Sequence, residues 1–153
     1  DLIQAGVPQL LVPTLIFMTC CVISFAAGSY GCMFMVMPIA VPIVAAVGGI
    51  GENPAADPFM LSCVAAVLSG AIFGDHCSPI SDTTILSSTG AECDHMVHVS
   101  TQLPYALCSA GCAALGYIAS GLTDGNLAVT LGVSFVSLAV LLLFVTRKFR
   151  KEV

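Results

Sequence analysis

The sequence predicts an all-α membrane protein, and three observations lead to that fold class. Hydrophobic residues make up 58% of the 153-residue chain and charged residues only 8%, whereas a soluble domain carries about 25% charged residues. Apolar segments of nearly membrane-spanning length recur along the chain. Between them, at 74–90, lies a polar, proline-containing run that is poorly suited to a core. We therefore expect the lipid bilayer as the main partner of the chain, and no nucleic acid.

Residues 9–50 predict a re-entrant helical hairpin. Two apolar runs flank a short tip at 24–31 that contains glycine and serine but no charge. If the two runs were full membrane spans, this short and uncharged turn would lie in water, which its composition does not favour. A turn inside the membrane is possible, because irregular backbone at that depth is tolerated where it lines protein or a cavity. Pro38 and Pro42 are expected to kink the second run. A packing kink made of small residues is the alternative interpretation of the tip.

Residues 59–90 predict one membrane helix with an interruption. The apolar part at 59–73 is too short to cross by itself, since about 20 residues are needed. It runs into Gly-Asp-His-Cys-Ser-Pro-Ile-Ser-Asp-Thr-Thr at 74–84, and the helix is expected to resume after Pro79 and continue to about Ser88. An ordinary surface loop rich in turn residues is the alternative interpretation of this polar run.

The last third of the chain predicts two more membrane helices after a polar connection. The predicted connection, helix, turn and final helix are 92–102, 103–122, 123–126 and 127–146. All four Lys and Arg residues lie at 147–151, and such residues are retained on the cytoplasmic side of a membrane. We expect a multi-pass protein of the cell membrane with its C-terminus in the cytoplasm and the polar loop at 51–58 outside.

Asp75 and Asp82 flank the Pro79 break and are the candidate ion-binding carboxylates. A carboxylate at membrane depth costs several kcal/mol unless it is paired or solvated, so it indicates function by default. Burial favours the protonated form of a carboxylate and a bound cation favours the charged form, so one such group can exchange H⁺ for Na⁺. Interrupted helices also free backbone carbonyls for cations. The hydroxyls that add oxygen ligands are those of Ser24, Ser29, Ser78, Ser81, Thr83 and Thr84.

The histidines allow two interpretations. His76 follows Asp75 directly and is expected to modulate that carboxylate. His95 and His98 lie one helical turn apart, a spacing that suits zinc, although an interfacial helix start explains it equally well. Most of the eight cysteines lie in apolar segments, where cysteine behaves as a small hydrophobic residue, so we expect no disulfide framework.

The run at 74–88, from Gly-Asp-His-Cys-Ser-Pro to Ile-Leu-Ser-Ser, resembles the signature of the NhaC-type Na⁺/H⁺ antiporter family. Ser-Phe-Ala-Ala-Gly-Ser at 24–29, Met-Pro-Ile-Ala-Val-Pro at 37–42 and residues 92–105 are also similar to that family. The resemblance implies an ion-transporter fold of inverted repeats, each with a re-entrant hairpin and an interrupted helix. This chain is then expected to be the C-terminal half of a longer protein whose N-terminal half is missing here; a homodimer is left open.

The resemblance also implies which residues form the site. The positions carried over from the family are Asp75, Ser78, Ser81, Asp82 and Thr83 in the break, and Ser24, Gly28 and Ser29 in the tip. It implies a secondary transporter, not an enzyme, that exchanges Na⁺ for H⁺ by alternating access without a resident cofactor. We expect the transported Na⁺ at Asp75, Asp82, Ser81 and Ser29.

The tip leaves the cargo open. After the glycine the chain reads Ser29-Tyr30-Gly31-Cys32, which is less polar than the family pattern and suits a larger solute. An antiporter of the same fold that carries an organic acid or an amino acid with Na⁺ or H⁺ is therefore the alternative. A zinc-dependent membrane enzyme that uses the three histidines, and a purely structural membrane subunit, are more distant alternatives.

Overall fold

The computed structural model describes residues 9–48 and 56–149, and the regular structure in this part of the chain is helical throughout. After a 3-10 turn, Gln9–Leu11, the helices are α1 (Val12–Gly48), α2 (Pro58–Cys77), α3 (Asp82–Gly90), α4 (His95–Leu122) and α5 (Leu127–Phe149). Within the described chain, four segments are long and apolar enough to cross a membrane, one of which combines α2 and α3. The predicted all-α membrane fold is confirmed. Most of the predicted outer loop at 51–58 lies outside the described residues.

α1 reverses direction at Gly28, which divides it into two arms. Gly28 has φ 74° and ψ 169°, whereas the residues on both sides are helical. The Cys32 thiol donates to the Cys20 carbonyl at 3.5 Å. On one straight helix these residues would be roughly 18 Å apart, at about 1.5 Å per residue. The arms therefore run antiparallel, as a hairpin.

The hairpin differs in two details from the sequence prediction. Only Gly28 leaves the helix, so most of the predicted tip already belongs to the two arms. The second arm also stays helical through Pro38 and Pro42, although each proline removes one backbone donor from the helix. The tip is therefore a single-residue turn with its neighbouring side chains held in helical geometry.

α2 is the helix on which the hairpin and α4 pack. Its residues Val67 and Ala71 share a buried cluster with residues of both arms, namely Cys20, Cys32 and Ala40. Phe17 of the first arm and Tyr117 of α4 bury their rings beside Ala66 of α2. The two ring centroids are 5.1 Å apart, a separation at which aromatic pairs attract each other. The core therefore joins three elements around one central helix.

Gly74 allows the first arm to approach α2 closely. A Cβ atom at this position would lie 2.5 Å from the carbonyl oxygen of Ser24, which is closer than such atoms can come. Small residues commonly occupy close crossings between membrane helices. At this crossing the Ser24 hydroxyl donates to the Gly70 carbonyl at 2.8 Å and accepts from the Gly74 N–H at 3.2 Å. The hairpin tip is thereby held beside the C-terminal end of α2.

The interruption after α2 lies where the sequence predicts it. α2 ends at Cys77 and α3 begins at Asp82, with Pro79 between them. α4 begins earlier than the predicted boundary at 103, because the Asp94 carboxylate accepts from the Val97 N–H at 3.0 Å. Aspartate in this position is a favourable helix N-cap. Most of the polar connection predicted at 92–102 is therefore the first part of α4.

The chain ends, in its described part, with the predicted turn and final helix. Asp124 and Gly125 have φ values of 50° and 82°, and Asn126 accepts from the N–H groups of Ala128 and Val129 at 3.1 and 3.3 Å. α5 then packs along α4. The basic cluster predicted to set the orientation is described only as far as residue 149.

Candidate functional site

Asp75, in the last turn of α2, is the residue on which the candidate site converges. Its Oδ1 atom accepts a hydrogen bond from the Ser29 hydroxyl at 2.9 Å and another from the Ser81 hydroxyl at 2.7 Å. Its backbone carbonyl accepts from the Thr84 hydroxyl at 2.8 Å. Ser29 belongs to the hairpin, Ser81 is the N-cap residue of α3 and Thr84 lies within α3. Three elements therefore meet at one aspartate.

The chemistry of this cluster suits a small hard cation. Ser29 and Ser81 are buried, at 4% and 2% exposure, so Asp75 is bonded by groups that water does not reach freely. A hydroxyl has one donor and two acceptor lone pairs, so each serine oxygen has lone pairs with which it can coordinate a cation. Oxygen atoms of carboxylates and neutral groups are the ligands that hard cations prefer. The cluster can hold one positive charge next to Asp75.

Ser24 and Ser78 are buried in the same region but bond mainly to backbone. The Ser78 hydroxyl donates to the Phe25 carbonyl at 2.8 Å and accepts from the Ile80 N–H at 3.3 Å. The Ser24 hydroxyl donates to the carbonyls of Gly70 and Cys21 at 2.8 and 3.1 Å. The Ser24 hydroxyl therefore joins the hairpin tip to α2, and the Ser78 hydroxyl joins the tip to the break. These bonds hold Ser29 within hydrogen-bonding distance of Asp75.

The structure places Asp82 and Thr83 at the edge of the cluster. Asp82 is exposed, and its Oδ1 atom accepts from the N–H of Thr83 at 3.0 Å. Thr83 is exposed as well. Of the predicted sodium ligands, Asp75, Ser81 and Ser29 are therefore brought together, and Asp82 is not part of their hydrogen-bond cluster.

His76 is exposed and lines a cavity. The cavity has a volume of about 340 Å³ between α2, α4 and the first arm. Its polar lining consists of the side chains of Ser69, His76, Gln102, Tyr105 and Ser109. The sequence predicted a modulating role for His76 but contained no local sign of this cavity, since its walls come from helices far apart in the chain.

His95 occupies a position that sequence reasoning missed. One ring nitrogen, Nε2, is 2.8 Å from the Pro79 carbonyl and the other, Nδ1, is 3.0 Å from the Ser88 hydroxyl. The sequence indicated only a helix start or a zinc ligand at His95, because Pro79 and Ser88 approach it through the fold and not through spacing. Among the described residues no three His, Cys, Asp or Glu side chains come together as a metal site.

Comparisons with known proteins bear on the identity of the chain. The family model described as "Na+/H+ antiporter family" matches residues 2–122. An uncharacterized protein of Haemophilus influenzae is 40% identical over 149 residues, which are 97% of this chain and 27% of that protein. The Malate-2H(+)/Na(+)-lactate antiporter of Bacillus subtilis is 50% identical over 38 residues, 25% of this chain and 8% of that protein. No solved structure matches the chain.

The matched region contains the hairpin, the interrupted helix and α4, and thus every residue of the Asp75 cluster. The chain spans about a quarter of the length of the Haemophilus relative. Its apolar helices make it part of a multi-pass membrane protein. On these grounds the chain belongs to the Na⁺/H⁺ antiporter family.

Proposed function

We propose that the full-length protein containing this chain is a secondary transporter that exchanges Na⁺ for H⁺ across the cytoplasmic membrane. The observation that carries the proposal is the pair of hydrogen bonds from Ser29 and Ser81 to one oxygen of Asp75. A carboxylate in a membrane-spanning segment is rare and marks ion pathways and proton relays. The family to which the chain belongs supports the same chemistry.

Exchange follows from the charge of the Asp75 carboxylate. The group balances one positive charge, which is either a proton on the carboxylate or a Na⁺ beside it. When Na⁺ binds, the Ser29 and Ser81 hydroxyls turn their lone pairs to the ion and become ligands. When Na⁺ leaves, a proton takes its place. Asp82 is the second carboxylate of the proposal and alternates with Asp75 between proton and Na⁺.

Alternating access requires the hairpin and the interrupted helix to move relative to each other. At the site, hydrogen bonds from Ser24, Ser29 and Ser78 join the two elements, next to the close packing of Ser24 on Gly74. Broken helices that meet near the middle of the membrane are a common way for transporters to build such a site. In this proposal, movement of the tip away from Asp75 releases the ion to one side, and the return of the tip restores the site.

The test uses Asp75→Asn and Asp82→Asn in the full-length protein, with Asp57→Asn as the matched control. Asp57 caps the other end of α2 by accepting from the Met60 N–H at 3.0 Å, and asparagine caps a helix equally well. Na⁺-driven proton movement is measured in everted membrane vesicles. We expect no exchange in the first two variants and normal exchange in the control.

The amount of each variant in the vesicles is measured alongside, so that loss of protein is separated from loss of exchange. Wild-type exchange by Asp75→Asn at normal protein level would overturn the proposal. Wild-type exchange by Asp82→Asn alone would leave Asp75 as the site and remove Asp82 from the mechanism.

A second candidate function, the exchange of an organic acid or an amino acid with Na⁺ or H⁺, is favoured by two observations. One relative is named as a malate and lactate antiporter. The cavity of about 340 Å³ between α2, α4 and the first arm has polar groups from His76, Gln102 and Tyr105, which suit the carboxylate and hydroxyl of a small acid.

This candidate is tested by uptake of labelled malate, lactate and amino acids into vesicles with an imposed Na⁺ gradient. Uptake that is lost in Gln102→Leu and in Asp75→Asn would support a solute held in the cavity and driven from the Asp75 site. Na⁺/H⁺ exchange without movement of any labelled solute would contradict this candidate and favour the first.

A further inference from the structure

We propose that His95 is a positioning residue for the Asp75 site. Its imidazole ring ties the Pro79 break and α3 to the start of α4, and the protonation state of the ring decides how firmly α3 is held. The importance of this link for transport rests on the proposed function, whereas the link itself can be measured without any transport.

The geometry puts the His95 ring at the junction of three elements. His95 is the first residue of α4 and is half-buried. Its Nε2 atom reaches the carbonyl of Pro79, two positions before Ser81, and its Nδ1 atom reaches the hydroxyl of Ser88 near the end of α3. A shift of the ring therefore moves the segment that presents the Ser81 hydroxyl to Asp75.

The protons on the ring can be assigned from the partners. The Pro79 carbonyl can only accept, so Nε2 must carry a proton. The Ser88 hydroxyl has one proton, and it lies 2.9 Å from the Ile85 carbonyl, which can also only accept. In a neutral ring with Nε2–H, the Nδ1 atom is an acceptor and competes with the Ile85 carbonyl for that single proton. Of the contacts of the Ser88 hydroxyl with Nδ1 and with the Ile85 carbonyl, only one can then be a hydrogen bond.

Protonation of His95 removes this competition. With both nitrogens protonated, Nε2–H donates to the Pro79 carbonyl and Nδ1–H donates to the Ser88 oxygen. The Ser88 hydroxyl is then free to donate to the Ile85 carbonyl, and every contact has one proton. The charged ring thus makes one hydrogen bond more than the neutral ring, and histidine changes charge between about pH 5 and 8. Acidification is therefore expected to tighten the link, and alkaline pH to loosen α3 while the Pro79 contact remains.

Other titratable groups lie on the elements around the ring, and one of them contacts the same residue, since the Cys93 thiol donates to the Ser88 backbone carbonyl at 3.6 Å. Their side chains belong to the end of α2, the start of α3, the connection and α4, and are Asp75, His76, Cys77, Asp82, Glu92, Cys93, Asp94 and His98. The carboxylates of Asp75, Asp82 and Asp94 accept from Ser29 and Ser81, from Thr83 N–H and from Val97 N–H respectively. The two ring nitrogens of His95 contact neutral oxygen atoms.

Three variants and one control separate a positioning role from a general structural one. His95→Ala removes both ring contacts. His95→Gln keeps an N–H donor for the Pro79 carbonyl but has no charge to gain or lose. Ser88→Ala removes the partner of Nδ1 alone. His98→Gln is the control, because His98 is the same residue type one turn further along α4 and is also half-buried.

The experiment is hydrogen exchange by mass spectrometry on the full-length protein at pH 6 and pH 8, corrected for the intrinsic exchange rate. The readout is the opening of Asp82–Gly90, with Leu127–Phe149 as the reference segment. One hydrogen bond is worth about 0.5–1.5 kcal/mol, so opening of α3 is expected to rise by on the order of 2- to 10-fold from pH 6 to pH 8 in the wild type. His98→Gln is expected to match the wild type.

The variants are expected to behave differently from one another. His95→Gln and Ser88→Ala should lose the pH response of α3, and His95→Ala should open α3 further at both pH values. A wild-type pH response in His95→Gln, or unchanged protection of α3 in His95→Ala, would overturn the proposal. Because no ion is transported in this measurement, its outcome is independent of the Asp75→Asn vesicle test of the proposed function.

Discussion

The Ser29 hydroxyl donates a hydrogen bond to Oδ1 of Asp75 across 2.9 Å, although the two residues are 46 positions apart. Ser29 begins the second arm of the hairpin directly after Gly28, and Asp75 lies in the last turn of α2. The Ser81 hydroxyl donates to the same oxygen at 2.7 Å from the other side of the break. One carboxylate oxygen therefore connects the tip of the hairpin to the interruption of the helix, and this connection can be tested from both sides.

Ser29→Ala and Ser81→Ala are each expected to raise the Na⁺ concentration for half-maximal exchange by on the order of 10-fold. Each variant removes one oxygen ligand of the proposed Na⁺ site, and a 10-fold change corresponds to a loss of about 1.4 kcal/mol of binding free energy. Exchange is measured in vesicles over a range of Na⁺ concentrations. Ser87→Ala is the control, because Ser87 is an exposed hydroxyl on α3. The same Na⁺ dependence in Ser29→Ala and the control would contradict the assignment.

Ser24→Ala is expected to lower stability and leave the Na⁺ dependence unchanged. The buried Ser24 hydroxyl bonds to the Gly70 carbonyl and the Gly74 N–H, and leaving such groups unpaired costs about 1–3 kcal/mol. Thermal unfolding of the purified full-length protein measures the first effect and vesicle exchange the second. If the half-maximal Na⁺ concentration rises in Ser24→Ala as it does in Ser29→Ala, Ser24 is an ion ligand and not a structural tie.

Gly28→Ala is expected to destabilise the protein by about 1–3 kcal/mol, because its backbone conformation is one that residues with a Cβ rarely adopt. Gly111→Ala is the matched control. A Cβ at either position would meet no atom within 4 Å, but only Gly28 has a positive φ, of 74°. Melting temperatures of the two variants check the prediction. Equal melting temperatures would show that the tip tolerates a side chain and that the hairpin does not depend on glycine.

The orientation in the membrane is tested with cysteines at the two ends of α4. Cys93 is exposed before α4, and Leu127 is 70% exposed just after the turn that follows α4. With all other cysteines replaced, an impermeant maleimide on intact cells is expected to label Leu127→Cys but not Cys93, since basic residues keep the C-terminus in the cytoplasm. Everted vesicles should give the opposite result. Labelling of Cys93 in intact cells would reverse the predicted topology.

The hairpin shows how far a prediction from sequence reaches. Two apolar runs around an uncharged glycine–serine tip were sufficient to predict a reversal of the chain, because backbone at membrane depth needs a short and protected turn. They could not show that Gly28 alone leaves the helix. The extent of the turn depends on how the two arms pack, and the arms are already in contact at Cys20 and Cys32.

The amino-acid sequence alone determined the membrane class and the all-α fold, because the chain has too few charged residues for a soluble domain and contains long apolar runs. It also determined the interruption around Pro79, because proline disturbs a helix at its own position. Only the tertiary structure decided which polar groups act together. It joined Asp75 to Ser29 and Ser81, left Asp82 exposed, bonded the Ser24 hydroxyl to the Gly70 carbonyl, and brought the His95 ring to Pro79 and Ser88. The physical reason is the close approach at Gly74, where the absence of a Cβ lets the hairpin lie against α2. Hydrogen bonds reach only about 3 Å, and spacing along the chain does not show which hydroxyls come that near.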